Sequence, residues 1–544
     1  VGGQVPQITL TRRRFLGAAA GLAAGAAGVA ACSSNRPEDR PESRVFHQAI
    51  VVGSGYGGGV SALRLGEAGV DTLILERGRL WDTPDADGKR FTKMLPADTR
   101  AGWFRDVPPS LVPSFRGISV NAVAAQNPGA QPIQAGICDK VSYGAHDVFR
   151  GIAVGGGSMV NAAIAAVPTP DQVRAAFPDI DPTEFLGTYV ERAKAALQIS
   201  YRDPAWFEQT PYFQYARVGR KYAEAAGYGV DINGSAYSFD YMVREAAGEV
   251  PRSALDWECQ YGNNHGRLGS VDQTYVAAAL KTGNVQLRPL TEVTGIRQEP
   301  SGEYVVSTRE IDRWGKELAR DEIGCEQLYL AAGVLGTAHL LLRARETGDL
   351  PNLHDEIGNG YGNNGDIMVS HNTAEPVGTQ QSLLGMINLD GRADPDNPVY
   401  ASMFSLPLPL ETNALGYYAM VRTGDRAVIS YDRQADAIGI DWPQSHTDHL
   451  IERARLVFDR VTQANGVDYR DDLFEGKAFA SNTVHPLGGC VRGAATDLFG
   501  RVNGHEKLYV NDASLIPGYI GCNPFMSITA LAERNIEAIL AGRR

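Results

Sequence analysis

The chain has 544 residues, 43% of them hydrophobic, with 61 glycines and a formal net charge of −12. Single cores stop growing near ~250–300 residues, so this length predicts two packed domains. The negative balance excludes a nucleic-acid partner, whose phosphates demand a basic surface. The six cysteines, Cys32, Cys138, Cys259, Cys325, Cys490 and Cys522, form no C-x-x-C pair, which excludes a zinc or thioredoxin-like reading.

Residues 1–45 read as an address and are set aside from the fold. Thr11-Arg12-Arg13-Arg14-Phe15-Leu16 resembles a twin-arginine export signal, and an uncharged Ala/Gly run follows from Phe15 to Ala31. That run falls short of the ~20 apolar residues a membrane span needs. Val29-Ala30-Ala31-Cys32 looks like a lipoprotein cleavage box, with Cys32 as the lipidated residue and the polar stretch Ser33–Arg44 as a tether. The expectation is an exported protein, either a cell-surface lipoprotein or secreted, whose cofactor is loaded before export of the folded chain.

His47–Val52 reads as a buried strand that ends in Gly53-Ser54-Gly55-Tyr56-Gly57-Gly58. A helical pattern runs on to Gly69, and Val70–Leu75 forms a second strand closing on Glu76. Strand, glycine turn, helix, strand and terminal acid together make a dinucleotide-binding fingerprint. Gly53 permits the turn, Gly55 lets backbone approach a pyrophosphate, Gly58 lets helix and strand pack closely, and the helix N-terminus faces the phosphate. Glu76 would hold the adenosine ribose. The fingerprint serves FAD and NAD alike. Two distant segments, Leu328–Gly333 and Leu508–Ser514, each read as a strand entering a turn, and such a late, returning strand favours FAD.

Further motifs follow in fixed order: Gly151-Ile152-Ala153-Val154-Gly155-Gly156-Gly157-Ser158-Met159-Val160-Asn161, Ala246–Pro251, Tyr261–Gly266, His485-Pro486-Leu487-Gly488-Gly489-Cys490 and Asn523-Pro524-Phe525. Together they resemble the glucose–methanol–choline (GMC) flavoenzyme family, and within it the bacterial cholesterol oxidases with non-covalently bound FAD. The resemblance spans nearly everything from residue 46 onward. It implies an α/β fold: a discontinuous Rossmann-like FAD-binding domain plus a substrate domain whose six-stranded antiparallel sheet roofs the flavin. The implied parts are FAD-binding 46–85, 268–358 and 499–544, and substrate-binding 86–267 and 359–498. The stretch Val377–Asp441 fits the sheet, with Tyr417–Val421 and Ala427–Tyr431 as two of its strands.

The resemblance also implies the site. Cofactor contacts fall on Gly53, Gly55, Tyr56, Gly57, Gly58, Glu76, Gly155, Gly157, Ser158, Asn161, Val293, Asp512 (the ribityl chain), Asn523, Pro524 and Phe525. His485 and Asn523 are the catalytic pair. A neutral histidine near its intrinsic pKa can partner the hydroxyl of an alcohol losing hydride to a flavin, as donor, acceptor or proton carrier. Tyr400, Ser402 and Met403 are expected in the substrate cavity. Here the sequence departs from the family, in which a glutamate follows the Pro-Val-aromatic-Ala stretch and shifts the steroid double bond. Pro398-Val399-Tyr400-Ala401 is followed by Ser402, whose hydroxyl has no useful basicity. Asn161-Ala162-Ala163 likewise replaces an Asn-Gly-Gly.

The reading is an FAD-dependent alcohol oxidase acting on a 3β-hydroxysteroid or similar bulky apolar secondary alcohol. It would reduce O2 to H2O2 with weak isomerisation, as a monomer touching lipid through Cys32 or the cavity mouth. Two rivals remain: a dehydrogenase of another alcohol with a non-oxygen acceptor, and a low-turnover flavin- or lipid-binding lipoprotein. His446-Thr447-Asp448-His449 reads as a solvated helix face rather than a metal site. Gly358–Gly365 reads as a turn, and no G-x-S-x-G elbow supports hydrolysis.

Overall fold

The computed structural model describes residues 44–542, apart from 112–113, 116–117, 120–131 and the single positions 145, 386, 407 and 475. The twin-arginine and Cys32 readings lie outside the described residues.

Strand β1 (Phe46–Val52) enters α1 (Tyr56–Glu67) and returns as β2 (Thr72–Leu75). Both strands are apolar almost throughout because both faces of a parallel sheet are covered. After the antiparallel pair β3 (Cys138–Tyr143) and β4 (His146–Gly151) come α2 (Gln214–Ala225) and β5 (Gly229–Asp231). The chain then supplies β6 (Val285–Arg288), β7 (Thr291–Gln298), β8 (Tyr304–Ile311), the long β9 (Glu317–Leu330) and α3 (Gly333–Thr347). Six of these strands align as β6-β2-β1-β9-β8-β7, and the late strand β18 (Leu508–Val510) adds to β9 as the seventh. The half of the sheet that faces α1 is parallel (β6·β2, β2·β1, β1·β9, β9·β18), while β9·β8 and β8·β7 are antiparallel.

The second sheet has six strands, all antiparallel. It is built from β5, β10 (Asp366–Asn372), β11 (Asn388–Asp390), β12 (Val399–Phe404), β13 (Ala414–Val421) and β16 (Phe479–Ala480), in the order β16-β10-β13-β12-β11-β5. The fold is thus mixed α/β, with a dinucleotide-type sheet and a separate antiparallel sheet. One expected strand lies elsewhere. Among the described residues β14 (Ile429–Asp432) pairs only with β15 (Ala437–Ile440), in a two-stranded ribbon. β13 already lies between β10 and β12, so neither of its sides is open to that strand, and Ala427 bridges Tyr361 instead. Helix α4 (Gln444–Asn465) packs on α2 and β10. β17 (Asn482–Thr483) pairs with β4, and α5 (Phe525–Leu540) closes the chain against α1.

Candidate active site

A cavity of about 1040 Å³ runs from the end of β1 to the six-stranded sheet. Ligand pockets span roughly 300–1,000 Å³, so this cavity is at the top of that range.

One end begins where β1 stops. Gly53 has φ +93°, and a Cβ there would lie 2.3 Å from the Ala331 carbonyl oxygen. A Cβ on Gly57 would lie 1.6 Å from the Asn511 oxygen, so α1 is seated directly on the turns that follow β9 and β18. Gly55 differs: it faces the cavity with nothing closer than 3.9 Å to its missing Cβ. Helix α1 has no side-chain cap, which leaves its first N–H groups open to an anion. Glu76 is buried and accepts hydrogen bonds from Ser54 N (3.0 Å), Ser54 Oγ (2.7 Å) and Gly78 N (2.7 Å). Burial pushes its carboxyl up, and these donors oppose the shift. Asp512 is held by Gly333 N (2.9 Å), Thr337 Oγ1 (2.6 Å) and Ser514 N (2.8 Å), and burial raises it too. A glycine-lined cleft, an uncapped helix N-terminus and two fixed acids at the strand ends fit an FAD.

The end toward the six-stranded sheet is assembled from three distant segments. The 358–365 turn clamps two of them. Gly362 exchanges backbone hydrogen bonds with Leu487, and Asn364 accepts from Ile520 N (2.9 Å) and Gly521 N (3.1 Å) while donating to Cys522 O (2.9 Å). This fixes the loops that carry His485 and Asn523. His485 Nδ1 lies 3.0 Å from Oδ1 of Asp366, whose carboxylate is fully buried at the start of β10. The other oxygen, Oδ2, accepts from Thr483 Oγ1 (2.6 Å) and Tyr418 OH (3.1 Å). The Tyr418 ring also stands edge-on to the His485 imidazole at 5.7 Å, and burial with Asp366 holds its hydroxyl well above the usual range. A carboxylate on Nδ1 makes that nitrogen the donor, so Nε2 of the neutral ring is the free acceptor. Ser402 Oγ donates to Asn388 Oδ1 (2.7 Å), its cross-strand neighbour, and lies 3.4 Å from Asn523 Oδ1. Apolar side chains, among them Met94, Leu111, Met368, Phe404 and Leu406, line much of the rest, together with polar ones such as Gln260 and Ser405.

Of the expected site residues, Gly53, Gly55, Tyr56, Gly57, Glu76, Gly157, Asn161, Val293, Ser402, His485, Asp512, Asn523, Pro524 and Phe525 line this one cavity. Five do not. Gly58 packs under the Gly53 carbonyl. Gly155 donates its N–H to Ser54 Oγ (3.1 Å), and Ser158 bonds to Gly155 O and Val271 N, so both brace the loop from behind. Tyr400 shares the face of Ser402 on β12 but lies beyond the cavity, its hydroxyl tied to Asn233 and to Asp231 (3.0 Å). Met403 points to the opposite face, as strand alternation requires, with its sulfur over Gly219 of α2. Among residues the sequence did not single out, Asp366 contacts His485, Asn388 contacts Ser402, and Arg267 contacts Asn161. His446 stands edge-on to Trp442, and His449 pairs with Asp425 at 3.0 Å; among the described residues no cluster of His, Cys, Asp and Glu could hold a metal.

Residues 364–475 match the family model "GMC oxidoreductase, C-terminal". The chain is 24% identical over 564 residues to a cholesterol oxidase of Mycobacterium tuberculosis (strain CDC 1551 / Oshkosh), covering 90% of each protein. It is 22% identical to a cholesterol oxidase of Acinetobacter baumannii, covering 90% of this chain and 94% of that one. In fold it matches the crystal structure of pyridoxine 4-oxidase from Mesorbium loti with a TM-score of 0.58 at 18% identity, over 91% of this chain and 99% of that one.

Proposed function

We propose that this chain is an exported alcohol oxidase of the GMC type that binds FAD non-covalently and converts a bulky apolar secondary alcohol, a 3β-hydroxysteroid or similar, to the ketone; the match of residues 364–475 to the GMC oxidoreductase C-terminal family supports this reading. The observation that carries the reading is the Asp366–His485 pair facing an apolar cavity beside Asn523.

Bound FAD would supply the two-electron acceptor for the hydride, with O2 as the final oxidant and H2O2 as the product. Gly53–Gly57, Glu76, Val293, Asp512 and Phe525 would hold it. The chain's own residues do the rest. The substrate hydroxyl would sit against Nε2 of His485, which accepts its proton as the carbon gives up hydride. Asp366 fixes the tautomer and stabilises the imidazolium that forms. The amide of Asn523, which lines the same cavity, would hold the second side of the hydroxyl and contact the cofactor. Leu111, Met368, Phe404 and Leu406 exclude water and favour an apolar body. Ser402, tied to Asn388, cannot carry a proton between steroid carbons, so the product is the unconjugated ketone.

The test is anaerobic: FAD-loaded protein is mixed with cholesterol and the visible flavin absorbance followed. Bleaching with 5-cholesten-3-one as product supports the reading. An FAD-bound protein that does not bleach with sterols but does with other alcohols, and prefers an artificial acceptor to O2, is instead a dehydrogenase.

A further inference from the structure

Arg267 is buried, with 4% of its surface exposed. One guanidinium nitrogen donates to the Asn161 carbonyl oxygen (2.8 Å) and to Asn263 Oδ1 (2.9 Å), and the other donates to Asn161 Oδ1. Its Nε has no partner among the described residues. Every acceptor is neutral, and among the described residues no carboxylate pairs with it. Asp272 is close enough to feel its charge, but makes no ion pair with it, and burial pushes that carboxyl up. A buried cation with no carboxylate in hydrogen-bond reach opposes folding strongly, and burial lowers the Arg267 pKa accordingly.

The charge is directed at the cavity. Asn161 Nδ2 donates to the Tyr56 hydroxyl (2.7 Å), and the Tyr56 ring lies parallel to Phe525 at 5.1 Å. Asn161, Tyr56 and Phe525 all line the cavity, and Phe525 opens α5, which has no side-chain cap. The guanidinium and a helix N-terminus therefore stand behind one section of wall. When a bound flavin takes up two electrons and a single proton, its ring system gains one negative charge. That charge is the anion the site otherwise lacks.

We propose that Arg267 is the counter-charge of the reduced cofactor, a positioning residue that acts through Asn161 and Tyr56 and raises the reduction potential of bound FAD. This rests on the FAD reading above. The experiment compares the native protein with Arg267→Lys, which keeps the charge, and Arg267→Gln, which keeps hydrogen bonding without it. Each is loaded with FAD and reduced in equilibrium with a reference dye. Arg267→Gln is expected to lower the two-electron reduction equilibrium at least tenfold, about 30 mV, with Arg267→Lys close to native. An unchanged potential in Arg267→Gln, or an equal fall in Arg267→Lys, overturns the proposal. Thermal unfolding of FAD-free Arg267→Met decides the matter should Arg267→Gln fail to hold FAD. A melting temperature at or above native fits an uncompensated charge, and a lower one shows that Arg267 is a structural brace and overturns the proposal. Native protein that takes up no FAD refutes the functional reading as well, whereas FAD uptake with an unchanged Arg267→Gln potential refutes this inference alone.

Discussion

Asp366→Asn isolates the element on which the proposed chemistry depends. The carboxylate is fully buried, with Oδ1 at 3.0 Å from His485 Nδ1 and Oδ2 accepting from Thr483 and Tyr418. An amide keeps the shape but carries one acceptor instead of two. The two hydroxyl donors favour the amide oxygen on their side, which turns the NH2 toward His485 Nδ1. That nitrogen must then accept, the ring proton moves to Nε2, and the nitrogen facing the cavity becomes a donor. Removing one partner of a buried pair costs about 3–5 kcal/mol, and each ~1.4 kcal/mol is a factor of ten in rate, so flavin reduction should slow by roughly two to four decades. The assay is anaerobic stopped-flow reduction at saturating alcohol, with FAD content and melting temperature as controls. Reduction within about threefold of native, a difference of under ~1 kcal/mol, would refute the claim that Asp366 sets the His485 tautomer.

His485→Ala should bleach at least ~10²-fold more slowly while retaining FAD, because it loses the proton acceptor and leaves the cofactor contacts untouched; unimpaired reduction removes the assignment. Ser402→Glu places a carboxylate beside Asn388, whose Nδ2 has no acceptor among the described residues, and should produce conjugated ketone from 5-cholesten-3-one, read by its ultraviolet absorbance. Glu76→Gln should weaken FAD binding about tenfold, the worth of one charge-assisted hydrogen bond, measured by quenching of FAD fluorescence. His146 and His371 are fully buried, and burial lowers the pKa of each to about 4. The unfolded chain, titrating near 6.5, binds their protons first, so stability is intact above that pH and falls as pH drops toward 4. The loss should approach about 2 kcal/mol per histidine by pH 5, visible in urea unfolding at pH 7 and pH 5.

What could be read from the sequence follows from how local each signal is. The β1–α1–β2 unit is legible because its glycines, periodicity and closing Glu76 fall within one short segment. The late strand at 508–510 is legible because an apolar run ends on Asp512. The partner of His485 is not: Asp366 lies 119 residues away, at the head of a strand whose sequence, Asp-Ile-Met-Val-Ser, reads as an ordinary edge-to-core strand start. Its role appears only when β10 and the 483–485 loop are brought together by the 358–365 turn, which looked like a connection. The family resemblance of the Pro398–Met403 stretch implies that Tyr400 and Met403 share the cavity with Ser402. A strand sends neighbouring residues to opposite faces, which removes Met403, and advances them along its axis by ~3.3 Å each, which carries Tyr400 past the cavity's end. Arg267 was invisible for a different reason. An arginine just past a glycine-rich loop carries no local sign of its burial, and only three-dimensional burial without a carboxylate partner marks it as a charge kept for a ligand. The positions hardest to read are therefore those whose meaning depends on a partner far along the chain or on a charge the chain does not contain.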